Sequence, residues 1–221
     1  ITSITIFNSI VYYSLNFTQV ISGVLMISTI PVMIIIFCWL FKIEKTNIYQ
    51  ILGVIFSLSG VVVIITKADL HILLNLNFNK GDLWMVVAVL SWAMYSALLR
   101  KKKLEISQLS LLQIIISAGL IFLLPAYLIE LSLGFKASID LPFVLTLTYV
   151  VLFPGLTSFI LWIKGISIIG SNRSGIFLHL MPIFSTIMAI LIFKEKFMFF
   201  HLVGAALIIT GIVLSSKGKR I

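Results

Sequence analysis

Acidic residues are scarce in this chain: seven Asp and Glu among 221 residues, none of them deep inside a long apolar run. Glu44, Asp69, Asp82, Glu105, Glu130, Asp140 and Glu195 all fall at the ends of such runs or between them. That distribution excludes the buried carboxylate pair that acid-base chemistry would need at membrane depth. Cysteine is nearly absent too. Cys38 stands alone, so no internal disulfide can form and the redox compartment is left open. In an apolar run its thiol reads as a small packed hydrophobe. The three histidines, His71, His179 and His201, are scattered and no HExxH helix occurs, so no metal site is expected. Nucleophile turns of the GxSG or GxSxG kind and Gly-rich phosphate loops are missing, which disfavours a serine hydrolase or an ATP-driven pump. The expectation is a protein that is not an enzyme and needs no cofactor. Rings of charge and filter-like loops are also missing, which disfavours a channel.

What the chain has in abundance is apolar length: 61% hydrophobic residues, 10% charged, and a mean hydropathy of +1.21. This composition belongs to a membrane protein. Eight apolar runs read as helical spans A to H, near residues 3–15, 20–41, 48–66, 83–99, 109–129, 143–163, 175–193 and 198–216. Spans B to H are long enough to cross a hydrocarbon core of about 30 Å. Span A is too short, and the chain starts with Ile, so the sequence is expected to be a fragment that begins inside a helix.

The net charge of +9 follows the loops. Alternating the loops puts Lys42, Lys45, Arg100, Lys101, Lys102, Lys103, Lys164, Arg173, Lys217, Lys219 and Arg220 on one face of the membrane. Lys67, Lys80, Lys136, Lys194 and Lys196 fall on the other. The richer face is expected to be cytoplasmic, with both chain ends there. The "RKKK" run then anchors the topology beside acidic headgroups. It lacks the aromatic or polar reading surface that a nucleic-acid partner requires.

Two stretches carry an internal repeat. "PVMIIIFCWLFKIEK" starts at Pro31 and "PIFSTIMAILIFKEK" at Pro182. Pro31, Glu44, Lys45, Gly53 and Gly60 correspond to Pro182, Glu195, Lys196, Gly204 and Gly211, all at an offset of 151. Spans B and C thus match G and H. The copies lie five spans apart, an odd number, so they have opposite orientations. Span A matches F, whereas D and E have no partners in the first half, so two helices are expected upstream and ten in the whole. Inverted repeats point to a secondary transporter that rocks about a midplane site.

The run "YYSLNFTQVISGVLMISTIPVMIIIFCWLFKIEKTNIYQILGVIFSLSGVVVI" resembles the first EamA-type repeat of the drug/metabolite transporter superfamily. "FPGLTSFILWIKGISIIGSNRSGIFLHLMPIFSTIMAILIFKEKFMFFHLVGAALIITGIVL" resembles the second, and "GDLWMVVAVLSWAMYSALLRKKK" is similar to its opening helix. The resemblance implies an all-α polytopic membrane protein of ten helices in two inverted five-helix repeats, eight of them present. It also implies cytoplasmic termini and transport of a small organic metabolite. Ile43 and Lys194 stand where the family usually has Gly before the turn Glu. The expected division is a partial first repeat over 1–66, a connector over 67–82, a second repeat over 83–216 and a basic tail over 217–221.

Within that frame the residues take roles. Pro31 and Pro182 each remove an amide at mid-span, from the carbonyls of Ile27 and Leu178, and predict kinks. Pro154 and Gly155 in "FPGLTS" predict a broken helix or hinge in span F. Gly53, Ser57 and Gly60, echoed by Gly204 and Gly211, form small-residue seams for helix packing. Glu44 and Glu195 read as turn residues. His179 is ionisable at midplane and is the leading substrate candidate, with Ser28 at the equivalent place in the first copy. Trp92 and Tyr95 are candidate cavity walls, and Asn8, Tyr12 and Thr157 further candidates. Trp39, Trp84 and Trp162 are assigned to the interfacial belt. The expected partners are the lipid bilayer and a small molecule, neutral, zwitterionic or anionic, such as an amino acid. Proton coupling would have to use His179 or the upstream helices, and monomer and homodimer both fit. The expected location is a bacterial plasma membrane. The alternatives are a non-transporting scaffold or a channel-like protein.

Overall fold

A backbone in lipid must satisfy its own hydrogen bonds, and a chain this apolar does so by forming helices. The structure is a computed structural model that describes residues 2–101, 106–134 and 138–217. Lys102, Lys103, Lys136, Lys219 and Arg220 of the charge tally, and the tail beyond Lys217, lie outside the described residues. Among the described residues there are eight long helical segments and no strand. Helix α1 is a π segment, Thr2–Asn8, continued by Ser9–Ser14. The others are α2 (Val20–Leu40), α3 (Ile48–Ile65), α4 (Lys80–Arg100), α5 (Gln108–Ser132), α6 (Leu141–Ile169), α7 (Ser171–Phe193) and α8 (Phe199–Ser216). A short helix, Leu70–Leu74, sits in the connector. Helices α2 to α8 are long and apolar enough to cross a membrane. The protein is an all-α polytopic membrane protein.

Local chemistry fixes several starts. Asn47 and Gln50 form a reciprocal capping box at α3, with bonds of 2.9 and 3.1 Å. Ser107 caps α5 and Asp140 caps α6. Each such cap contributes about 1 kcal/mol.

Helices α3 and α8 pack with their backbones nearly touching. A Cβ on Gly53 would lie 2.5 Å from the Gly211 carbonyl, and one on Gly60 would lie 2.5 Å from the Gly204 carbonyl. Without side chains at these four positions, dispersion contacts run along the whole crossing, which is how helices associate where lipid offers no hydrophobic drive. The pattern is reciprocal: Gly53 matches Gly204 and Gly211 matches Gly60 at the offset of 151, as a two-fold axis between α3 and α8 would produce. A second core joins α2 to α4 through Ile30, Ile34 and Cys38 against Val89, Ala93 and Ala97.

Pro31 and Pro182 stand at interruptions of their helices. In α2 the regular helix stops at Ile27 and restarts at Ile30, with Pro31 in its first turn. The hydroxyls of Ser28 and Thr29 donate to the carbonyls of Val24 and Met26 at 2.8 and 2.6 Å. In α7 a 3-10 turn, Phe177–Leu180, precedes the restart at Met181. Around Pro154 the outcome differs from a break. Helix α6 stays continuous by widening into a π segment, Val151–Thr157, where Thr157 and Ser158 donate to carbonyls five residues back.

Helix α6 also runs six residues past the expected end at 163, because Lys164 sits on an exposed face where its long stem lets the ammonium reach the headgroups. This corrects the assignment of Trp162 to the interfacial belt. Its indole donates to Ser96 Oγ at 3.2 Å, and its ring packs inward on Trp92. Trp39 and Trp84 are exposed.

Candidate functional site

The two proline breaks place His179 and Ser28 against each other. His179 is 1% exposed, and its Nε2 lies 2.8 Å from the Ser28 carbonyl oxygen. A carbonyl only accepts, so Nε2 carries the proton. Nδ1 lies 2.6 Å from Ser57 Oγ on α3. With a neutral ring, the Ser57 hydroxyl donates to Nδ1. Both nitrogens are therefore engaged within the protein, and a ligand reaches this imidazole only by displacing one of its partners. The Ser28 side chain is buried and turned to its own helix.

Trp92 of α4 is the centre of an aromatic cluster. Ring centroids of Phe7, Tyr95, Phe159 and Trp162 lie 4.8, 5.5, 5.6 and 5.8 Å away. Tyr95 is buried and Trp92 half-buried. Asn8 is half-buried on α1, whereas Tyr12 is 69% exposed. Thr157 is exposed and donates to the Leu152 carbonyl. The structure thus groups His179 with Ser28, and Trp92 with Tyr95, while Tyr12 and Thr157 lie on exposed faces.

A cleft of about 320 Å³ opens beside the second proline break. Val24 of α2 forms one wall. Pro182, Ser185 and Thr186 of α7 form another, and Lys67, Glu195 and His201 line it as well. The Ser185 and Thr186 hydroxyls supply donors and acceptors one turn after the break, and His201 stands in the first turn of α8, its Nδ1 accepting from the Met198 amide at 3.0 Å. Sequence reading missed Ser185, Thr186 and His201, although Ser185 and Thr186 lie on the turn after the proline, where a helix phase computed from Pro182 would have found them.

At the opposite membrane face, Glu44 in the α2–α3 turn reaches the start of α7. Its carboxylate oxygens accept from the backbone amides of Ser171 and Asn172 at 2.9 and 3.1 Å. Arg100 Nε lies 3.2 Å from Glu44 Oε1, and Arg100 Nη1 donates to the Ser167 carbonyl at 2.9 Å. Gly170, at φ +90°, leaves the room that this carboxylate fills; a Cβ there would lie 2.7 Å from Glu44 Oε1. A negative group on the exposed amides of a helix start is favoured by both hydrogen bonding and the helix dipole. A larger hollow of about 760 Å³ lies outside this clasp, lined by Trp39, Leu40, the 42–45 turn and Arg100. It stops at the span ends, since Ile34 and Cys38 behind it are fully buried.

Among the described residues no group of three or more His, Cys, Asp and Glu is placed to hold a metal. A buried carboxylate, Asp82 at 2% exposure, accepts from Thr18 Oγ1 and from the Asn79 amide and so joins α4 to the α1–α2 turn.

Comparison with known proteins gives one consistent result. The family model described as the EamA-like transporter family matches residues 1–66 and 79–217. The uncharacterized transporters YyaM and YetK of Bacillus subtilis (strain 168) are 24% and 27% identical over 97% and 99% of this chain. An uncharacterized transporter of Archaeoglobus fulgidus is 25% identical over 100% of it. The chain spans 70%, 66% and 75% of the lengths of these three relatives. A solved crystal structure matches 95% of this chain and 71% of its own at a TM-score of 0.73 with 16% identity, a likeness of fold.

Proposed function

Because the chain belongs to the EamA-like transporter family, we propose that it moves a small organic metabolite across the membrane by alternating access of two inverted repeats. The observation that carries this reading is the 320 Å³ cleft, which runs from the Glu195 face to the break at Pro182, with the Ser185 and Thr186 hydroxyls beside the break and Lys67, Glu195 and His201 also in its lining. Interrupted helices beside the site are typical of transporters that work by alternating access.

The substrate is an uncharged, zwitterionic or anionic molecule of amino-acid size. Asp and Glu are confined to the span ends, and Glu195, which lines the cleft, is accompanied there by Lys67, so a cation would meet little net opposite charge inside. Trp92 and Tyr95, outside the lining of this cleft, are the further surface on which the substrate's apolar part packs during passage, with Asn8, Tyr12 and Thr157 along the route. Ser28 and His179 lie buried outside the lining of this cleft, and His179 carries any coupled proton. The protein resides in a bacterial plasma membrane with both ends in the cytoplasm, and acts as monomer or homodimer.

Counterflow into proteoliposomes tests this. Liposomes carrying the full-length protein are preloaded with pools of amino acids, nucleosides and organic acids, with and without a pH gradient. Saturable exchange of one pool is the expected result. Conductance far above carrier turnover in planar bilayers would make it a channel, and absence of any exchange from folded protein would make it a scaffold.

A further inference from the structure

The two Glu-Lys turns are equivalent in sequence but not in structure. Glu44 bonds the amides of Ser171 and Asn172. At an offset of 151, the counterpart of Glu44 is Glu195 and the counterparts of Ser171 and Asn172 are Val20 and Ile21, the first residues of α2. That second clasp is not made: Glu195 is exposed and the start of α2 carries no side-chain cap.

The helices behind the turns differ in the same sense. At the Glu44 face, Gly175 of α7 sits against α2, so closely that a Cβ would lie 3.0 Å from Ile34 Cδ1 and 3.5 Å from Pro31 Cα. At the Glu195 face the equivalent positions, Val24 of α2 and Pro182 and Ser185 of α7, are walls of the open cleft, and Glu195 lies at its rim. One gate is shut and its counterpart is open.

We propose that Glu44 and Glu195 are alternating latches, each closing its own gate by capping the first turn of the helix opposite, and that this structure is the state with the Glu44 latch made. The idea rests on the alternating-access reading above. Closing the other gate brings the Glu195 carboxylate onto the amides of Val20 and Ile21 and removes the cleft, while Glu44 releases Ser171 and Asn172. The closed gate is built to be reopened. Asn172 Oδ1 and Ser174 Oγ are buried in it without a hydrogen-bond partner among the described residues, and opening gives them water. Arg100 holds Glu44 in place and is a positioning residue.

The test uses the full-length protein carrying Cys38→Ala in liposomes, because Cys38 is buried in the same gate as Ile34, with impermeant maleimide labelling of one introduced cysteine at a time. Ile34→Cys reports the closed gate and Ser185→Cys the cleft. With Glu44 intact, Ser185→Cys labels and Ile34→Cys does not. Glu44→Gln weakens a charge-assisted cap and is expected to raise Ile34→Cys labelling about tenfold and lower that of Ser185→Cys. Arg100→Gln, which leaves the carboxylate and both amides, is expected to shift both in the same direction by less and serves if Glu44→Gln does not fold. Unchanged labelling in Glu44→Gln protein that still performs counterflow overturns the latch. A labelling shift in protein whose native form shows no counterflow supports the latch and overturns the transport reading instead.

Discussion

The imidazole Nε2 of His179 stands 2.8 Å from the carbonyl oxygen of Ser28, the residue 151 positions before it. Equivalent points of two copies can touch only beside the axis that relates them. The contact therefore puts the proposed axis at the two proline breaks, where a rocking motion has the shortest lever. It also satisfies a carbonyl in a broken stretch of α2, and the cost of losing it sets the first prediction.

His179→Ala strands the Ser28 carbonyl, worth about 1–3 kcal/mol when left unpaired in a buried site, while the Ser57 hydroxyl keeps the Val54 carbonyl, 3.2 Å away, as a partner. The variant is expected to melt well below the parent in detergent. His179→Gln, able to donate to the same carbonyl, should recover part of the loss. Transport that fails in both variants while the Gln form regains its melting temperature would assign the imidazole to substrate or proton handling rather than to the clasp.

Gly60→Ala places a methyl on the Gly204 carbonyl, where 2.5 Å is available. Overpacking of this kind costs about 1–3 kcal/mol. Reduced melting temperature and reduced yield of folded protein are expected. An unchanged melting curve would mean that α3 and α8 are not in backbone contact.

Trp92→Ala empties the centre of a five-ring cluster and is expected to cost about 3–5 kcal/mol. Trp92→Phe keeps a ring and should preserve folding while raising KM for counterflow. If Trp92→Phe changes neither KM nor kcat, the cluster is packing and the substrate lies elsewhere.

Cys38 is fully buried, so the native chain is expected to stay unlabelled by impermeant thiol reagents. Against that silent background, Lys45→Cys should label only from the cytoplasmic face and Lys196→Cys only from the other. Labelling of both from one face would break the topology.

Hydropathy alone located all eight helices to within a few residues at most ends, because the membrane asks every span for the same apolar length. The offset of 151 was legible because the same proline, Glu-Lys pair and two glycines recur at it. What could not be read were partners distant in sequence. That Glu44 caps a helix 127 residues later follows from the approach of two turns, which no local pattern records. The depth of His179 was visible but its saturation by Ser28 and Ser57 was not, since serines on two other stretches supply it. Lys164 misled the reading of α6, because one charge on an exposed face does not end a helix whose neighbours still pack, and Trp162 was misplaced with it.

The widened turn at Val151–Thr157 bears on where the aromatic rings point. An α-helix advances about 100° per residue, so each residue that a π turn takes in beyond the α count swings everything after it by about that angle. Phe159 and Trp162 follow the π segment, and both face Trp92. Were the segment to tighten to α geometry, the same two rings would swing away from Trp92. A helix that stays hydrogen-bonded from end to end thus holds a rotary setting, and the aromatic wall exists in one position of it.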